Sequence, residues 1–97
     1  MTWTFDQAPH VACITSRSVL TGSPVLVVTH YEDDGSWAFM DAGPFDMANA
    51  MLVAMSTVLD RHPELMEIAE LPLGWSATRN DANAPWLMEK DDFGSDA

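Results

Sequence analysis

The sequence predicts an α+β domain: a small, mainly antiparallel sheet with two or three helices packed on one face. Three observations carry that expectation. Two strand-like runs flank an Asp34-Gly35 turn, and later segments rich in Ala, Met, Leu and Glu carry helical spacing. The length, 97 residues, suits one domain. A domain of this size buries a little over about 60% of the surface its unfolded chain exposes.

Residues 1–10 mix polar side chains with Trp3 and Phe5 and form a lead-in to a single domain over 11–88. Val11–Thr15 alternates, with Val11, Cys13 and Thr15 on one face and Ala12 and Ile14 on the other, which predicts a short strand. Arg17–Thr21 suits one helical turn, capped by Ser16 and stopped by Gly22. Pro24 then opens Val25–Tyr31, the strand-like run richest in β-branched residues. Across the acidic turn Glu32-Asp33-Asp34-Gly35, the run Ser36–Asp41 completes an antiparallel hairpin, with Trp37, Phe39 and Asp41 on one face. Met47, Ala50, Met51, Ala54, Met55 and Val58 recur at helical spacing, so propensity favours one helix over Asp46–Arg61. The competing reading places a strand at Met51–Met55 and a short helix capped by Ser56. Pro63 opens a further helix, with Glu64 and Glu67 complementing its dipole and Pro72 ending it. Gly74–Arg79 reads as the last strand, Asn80–Pro85 as a turn cluster and 89–97 as an acidic, mobile tail.

Composition excludes several functions. Fifteen Asp and Glu against four Lys and Arg give a formal charge of −11, which disfavours nucleic acid and anionic membrane as partners. Apolar runs such as Val25–Val28 and Ala50–Ala54 are far too short to cross a bilayer. Residues 1–10 hold neither Lys nor Arg and no apolar stretch, unlike a signal peptide. The single Cys13 cannot form an intramolecular disulfide and fits a reducing compartment, so a cytoplasmic location is expected.

No constellation announces a reaction. His10 and Cys13 make one H-x-x-C pair, whereas a structural zinc site needs four such groups, so neither metal nor cofactor is expected. Cys13, in the middle of an apolar strand, has the setting of an inert thiol. No nucleophile elbow, phosphate-binding loop, dinucleotide fingerprint or zinc-protease helix occurs, and no catalytic residue is assigned. Glu32-Asp33-Asp34 lacks the alternating ligands of a calcium loop and reads as a solvated hairpin tip. Among the four tryptophans, Trp37 suits core packing, while Trp86 either folds back over the sheet or stands as a binding anchor. Trp37, Trp75 and Arg79 are the candidates for lining a small-ligand pocket, with Arg79 free to meet a carboxylate or to pair a neighbouring acid.

A longer pattern runs from Val11 to Arg79. It comprises Ala12-Cys13-Ile14, Ser16-Arg17-Ser18-Val19-Leu20, Pro24-Val25-Leu26-Val27-Val28, the acidic hairpin, Ser36-Trp37-Ala38-Phe39, Asn49, Thr57-Val58-Leu59, Pro63-Glu64-Leu65 and Leu71-Pro72-Leu73-Gly74 with Ala77 and Arg79. In this the chain resembles a bacterial family of uncharacterised domains, the immunity-protein-thirty-three-like group. Its members are inferred to be immunity proteins of polymorphic toxin systems and have no established catalytic residues. The resemblance departs at His62, where members carry an acidic residue before the proline, and in the Met- and Ala-rich 46–55 segment. It implies a non-enzymatic protein that binds a cognate toxin, and it favours a strand within 46–55. On that reading Glu32, Asp33, Asp34 and Asp41 face the partner, with Trp86 as an anchor. The alternative is a metabolite-binding or regulatory domain. The sheet edge beside Val25–Tyr31 is the expected seam for a homodimer.

Overall fold

The computed structural model describes residues 3, 5–41 and 47–90. Strand β1 (Ala12–Ser16) passes directly into the single turn α1 (Arg17–Leu20), where the Ser16 hydroxyl accepts the Val19 N–H at 3.3 Å, the cap expected from the sequence. β2 (Val27–His30) and β3 (Trp37–Met40) then form the predicted antiparallel hairpin, pairing Val28 with Phe39 and His30 with Trp37.

The domain is α+β, but its six-stranded sheet is mixed rather than mainly antiparallel, in the order β4-β1-β3-β2-β5-β6. α1 and the segment after it carry the chain past the slot beside β1. The hairpin then folds β3 back into that slot, so β3 runs parallel to β1, with Ile14 opposite Ala38. β2 lies between β3 and β5, hydrogen-bonded on both sides, so the expected dimer seam beside Val25–Tyr31 is not an edge. The two edges are β4 and β6.

Of the two readings of 46–61, the strand followed by a short helix is the one the structure shows, and the single helix that propensity favours does not form. A short 3-10 turn (Met47–Asn49) leads into β4 (Ala50–Ala54), and α2 (Met55–Arg61) follows without a break. β4 pairs with β1 along its whole length, from Ala12 opposite Ala54 to Ser16 opposite Ala50. Sheet pairing therefore overrides the helix propensity of Ala and Met. The switch to helix falls at Met55 because the Val11 and Pro9 carbonyls accept the Met55 and Ser56 N–H groups at 2.9 and 3.0 Å. Those backbone acceptors replace the side-chain cap expected of Ser56. After Pro63 the helix is a tighter 3-10 form, Pro63–Ile68. β5 (Trp75–Thr78) is followed by a strand that the sequence reading missed, β6 (Leu87–Lys90). β6 takes up Glu89 and Lys90, so the predicted tail loses its first two residues, and 91–97 lie outside the described residues.

The described helices pack on one face. Val19, Met55, Val58, Leu65 and Ile68 join Cys13, Val28, Trp37, Phe39 and Ala77 in one core. Phe5, 7% exposed, belongs to it too, so the lead-in is part of the domain's structure. Its ring meets Trp37 edge-on with centroids 4.8 Å apart. Trp37 is fully buried, stacks on His30 at 4.0 Å, and donates its indole N–H to Asp6 Oδ1 at 2.9 Å. On the opposite face Leu52 remains 72% exposed.

Asp6→Ala leaves the buried Trp37 N–H without its acceptor. The expected loss is about 1–3 kcal/mol of unfolding free energy, read from the urea midpoint at unchanged m-value.

Candidate functional site

The acidic hairpin tip is built by backbone geometry. Tyr31 and Ser36 close it with an N–H to carbonyl bond of 2.8 Å, and the Gly35 N–H returns to the Tyr31 carbonyl at 3.0 Å. Gly35 sits at φ +75°, a conformation that side chains with a Cβ rarely adopt. Asp34 Oδ1 accepts the Ser36 N–H at 3.0 Å, and hydrogen bonding to Ser36 holds the Asp34 carboxyl below its ordinary range. Glu32, Asp33 and Asp34 are all exposed, and no described cation pairs with them. The Glu32 side chain lies against Gly74, where an added Cβ would stand 3.1 Å from Oε1. These three exposed carboxylates form one acidic knob on a turn whose backbone is closed by hydrogen bonds.

Asp41 does not belong to that knob. It follows β3 at the strand's far end and is held locally, accepting from the Ser18 hydroxyl at 2.5 Å and from Ser16 at 3.5 Å. Trp86 is also elsewhere: half-buried, with its ring over the Arg79 guanidinium at 4.3 Å. Its indole nitrogen is buried without a partner among the described residues, so Trp86 has folded back rather than standing free as an anchor.

The expected pocket of Trp37, Trp75 and Arg79 does not form. Trp37 and Trp75 flank His30 in one cross-strand row, while Arg79 lies beyond the opposite end of β5. Trp37 is closed into the core and Trp75 is half-buried at its margin. Arg79 is itself fully engaged. Its Nε donates to the Val25 carbonyl at 2.9 Å, one terminal nitrogen to the Ala82 carbonyl at 3.1 Å, and the other to Glu64 Oε2 at 3.2 Å. Pairing with an acid, rather than waiting for a ligand, is the role this arginine takes.

Two buried histidines, His30 and His62, take structural roles that the sequence does not show, because neither sits in a motif. A carbonyl oxygen only accepts, so His30 Nδ1 donates to Leu71 at 2.7 Å and His62 Nε2 donates to Val19 at 2.9 Å. His30 Nε2 approaches Asp6 Oδ2 at 3.1 Å, off the line a hydrogen bond needs. Both rings act as cross-ties between segments. Burial pushes the Cys13 thiol up to about 12, far from a nucleophile's range. Among the described residues no three His, Cys, Asp or Glu side chains converge as a metal site would require.

A cleft of about 610 Å³ opens between the turn after α1, the junction of α2 with the Pro63–Ile68 helix, and Ala82. Nothing in the sequence marks it, because its walls come from three separated segments.

No family model, no curated protein and no solved structure matches the chain. Among the described residues no helix is long and apolar enough to cross a membrane.

Two outcomes test this assignment. Cys13 is expected to resist alkylation at pH 8 in the folded protein and to react at once in urea, as mass spectrometry would read. Arg79→Met removes three hydrogen bonds from a buried cation and is expected to cost about 2–3 kcal/mol in urea unfolding. The same change should alter the Trp86 fluorescence.

Proposed function

We propose that the protein is a non-enzymatic binding protein that neutralises a bacterial toxin by direct contact, as members of the group it resembles are inferred to do. The observation that carries this reading is the hairpin tip, where Glu32, Asp33 and Asp34 stand exposed on a fixed turn with no described cation beside them. Such a knob, on a chain of charge −11, suits a partner with a basic surface. Toxins that degrade nucleic acid carry clefts of that kind, because their substrate is a polyanion. The buried groups that chemistry would need support a binding role as well, since His30, His62 and Arg79 are spent on tying the fold together. Asp41 and Trp86 lie away from the knob and are left out of the proposed interface. A cytoplasmic site of action, where Cys13 stays reduced, completes the proposal.

The test is co-expression with the product of the adjacent gene, combined with a tagged pull-down from native lysate. The expected result is a stoichiometric basic partner whose toxicity is relieved by this protein. A neighbour that neither binds nor harms the cell would overturn the reading. With the partner in hand, reversing charge at Asp33 and Asp34 to Lys should slow association about tenfold or more at low salt and flatten its salt dependence. Unchanged association rates would remove the hairpin from the interface.

A further inference from the structure

We infer that the cleft beside His62 is a binding site for a free α-amino acid, with Arg61 holding its carboxylate and Asp60 and Glu64 its ammonium group. The inference stands apart from the toxin-binding reading, since the site lies at the Val25 and Arg79 end of the sheet and the hairpin at the other.

The walls of the cleft are cross-tied before any ligand arrives. Arg79 lies behind them, bonding to Ala82 on one wall and Glu64 on another, and to the Val25 carbonyl beneath. His62 ties the α2 end to the Val19 carbonyl, which fixes the turn that carries Thr21 and Gly22. A site held in this way spends little of its binding free energy on ordering itself. The cleft is open to solvent on one side, and its volume, about 610 Å³, lies within the range of small-molecule sites.

The charge left over inside the cleft specifies the ligand. Arg79 occupies Glu64 Oε2, which leaves Oε1 available to accept. Arg61 is exposed and has no ion pair or hydrogen bond among the described residues, and Asp60 is exposed beside it. Asp60, Arg61 and Glu64 thus line one concavity, a guanidinium-bearing side chain between two carboxylate-bearing ones in sequence. Of the four Lys and Arg residues in a chain of charge −11, two meet here, Arg61 at the opening and Arg79 behind. Arg79 already balances Glu64, so the charges left unpaired at the cleft are Asp60, which opposes a simple anion, and Arg61, which opposes a simple cation. A zwitterion satisfies both signs: the guanidinium takes its carboxylate through two parallel N–H bonds, and the carboxylates accept from its ammonium. Pro24 and Ala82 supply apolar surface for its side chain.

The test is isothermal titration calorimetry of the intact chain against the twenty free amino acids. Each ligand that binds is compared with its decarboxylated amine and its deaminated acid. The expected result is binding of at least one amino acid, with both truncated analogues weaker by about tenfold or more. Arg61→Ala should weaken binding by a similar factor, while Arg17→Ala, outside the cleft, should leave it unchanged. Arg61 is exposed, so the variant is expected to fold, and its circular dichroism would verify this. Absence of heat from every amino acid at millimolar concentration would overturn the inference. So would equal affinity for the amine or the acid alone, or full affinity in Arg61→Ala.

Discussion

The structure depends on how Trp37 is enclosed. Its ring is fully buried at the centre of the sheet's inner face, between the His30 ring at 4.0 Å and the Phe39 ring at 5.9 Å. Phe5 closes over it edge-on, and Asp6 accepts its N–H. A side chain of this size brings a large apolar surface out of water, but its one polar atom must be matched for the burial to be favourable. The lead-in supplies both the Phe5 cover and the Asp6 acceptor, and so belongs to the core it covers. The mixed topology serves the same end. Folding β3 back beside β1 places Trp37 and Phe39 mid-sheet, where helices α1 and α2 and the Pro63–Ile68 helix can cover them.

That enclosure also governs what the domain has left for function. Most buried polar groups in a protein this small must be paired, and here the pairing engages His30 Nδ1, His62 and Arg79. His30 is held by Leu71, His62 by Val19, and Arg79 by three oxygen acceptors. Cys13 is closed off between strands, and its thiol is pushed up to about 12. Groups still free to meet another molecule lie outside, among them the carboxylates of the hairpin and Arg61 with its acidic neighbours at the cleft. Recognition by surface charge is the kind of work such a distribution suits.

The parts of the fold written in local chemistry are the parts the sequence shows. Asp34-Gly35 specifies the hairpin, Ser16 specifies the start of α1, and the alternation of Trp37 and Phe39 specifies which face turns inward. β4 was legible only as one of two readings, because Ala50, Met51 and Ala54 are good helix formers and only the free side of β1 makes them a strand. β6 was hidden for a related reason: Leu87–Lys90 is exposed throughout and becomes a strand by lying against β5. The acidic knob was legible as a run of charge, whereas Asp41 was grouped with it on sign alone. Its distance from the hairpin follows from the direction of β3, which composition does not carry. The roles of His30, His62 and Arg79 rest on carbonyls far away in sequence, and no spacing rule points to those partners.

An enclosure of this kind makes the Trp37 row the last part of the molecule to open. Native-state amide hydrogen exchange, followed as urea is raised below the unfolding transition, measures this residue by residue. Exchange at Val28, His30 and Phe39, on either side of Trp37, is predicted to occur only through global unfolding, with the urea sensitivity of the whole domain. Amides in β6 should exchange by local opening, since that strand is exposed along its length. Exchange at Val28, His30 and Phe39 through local opening, at a free energy well below that of unfolding, would contradict the account.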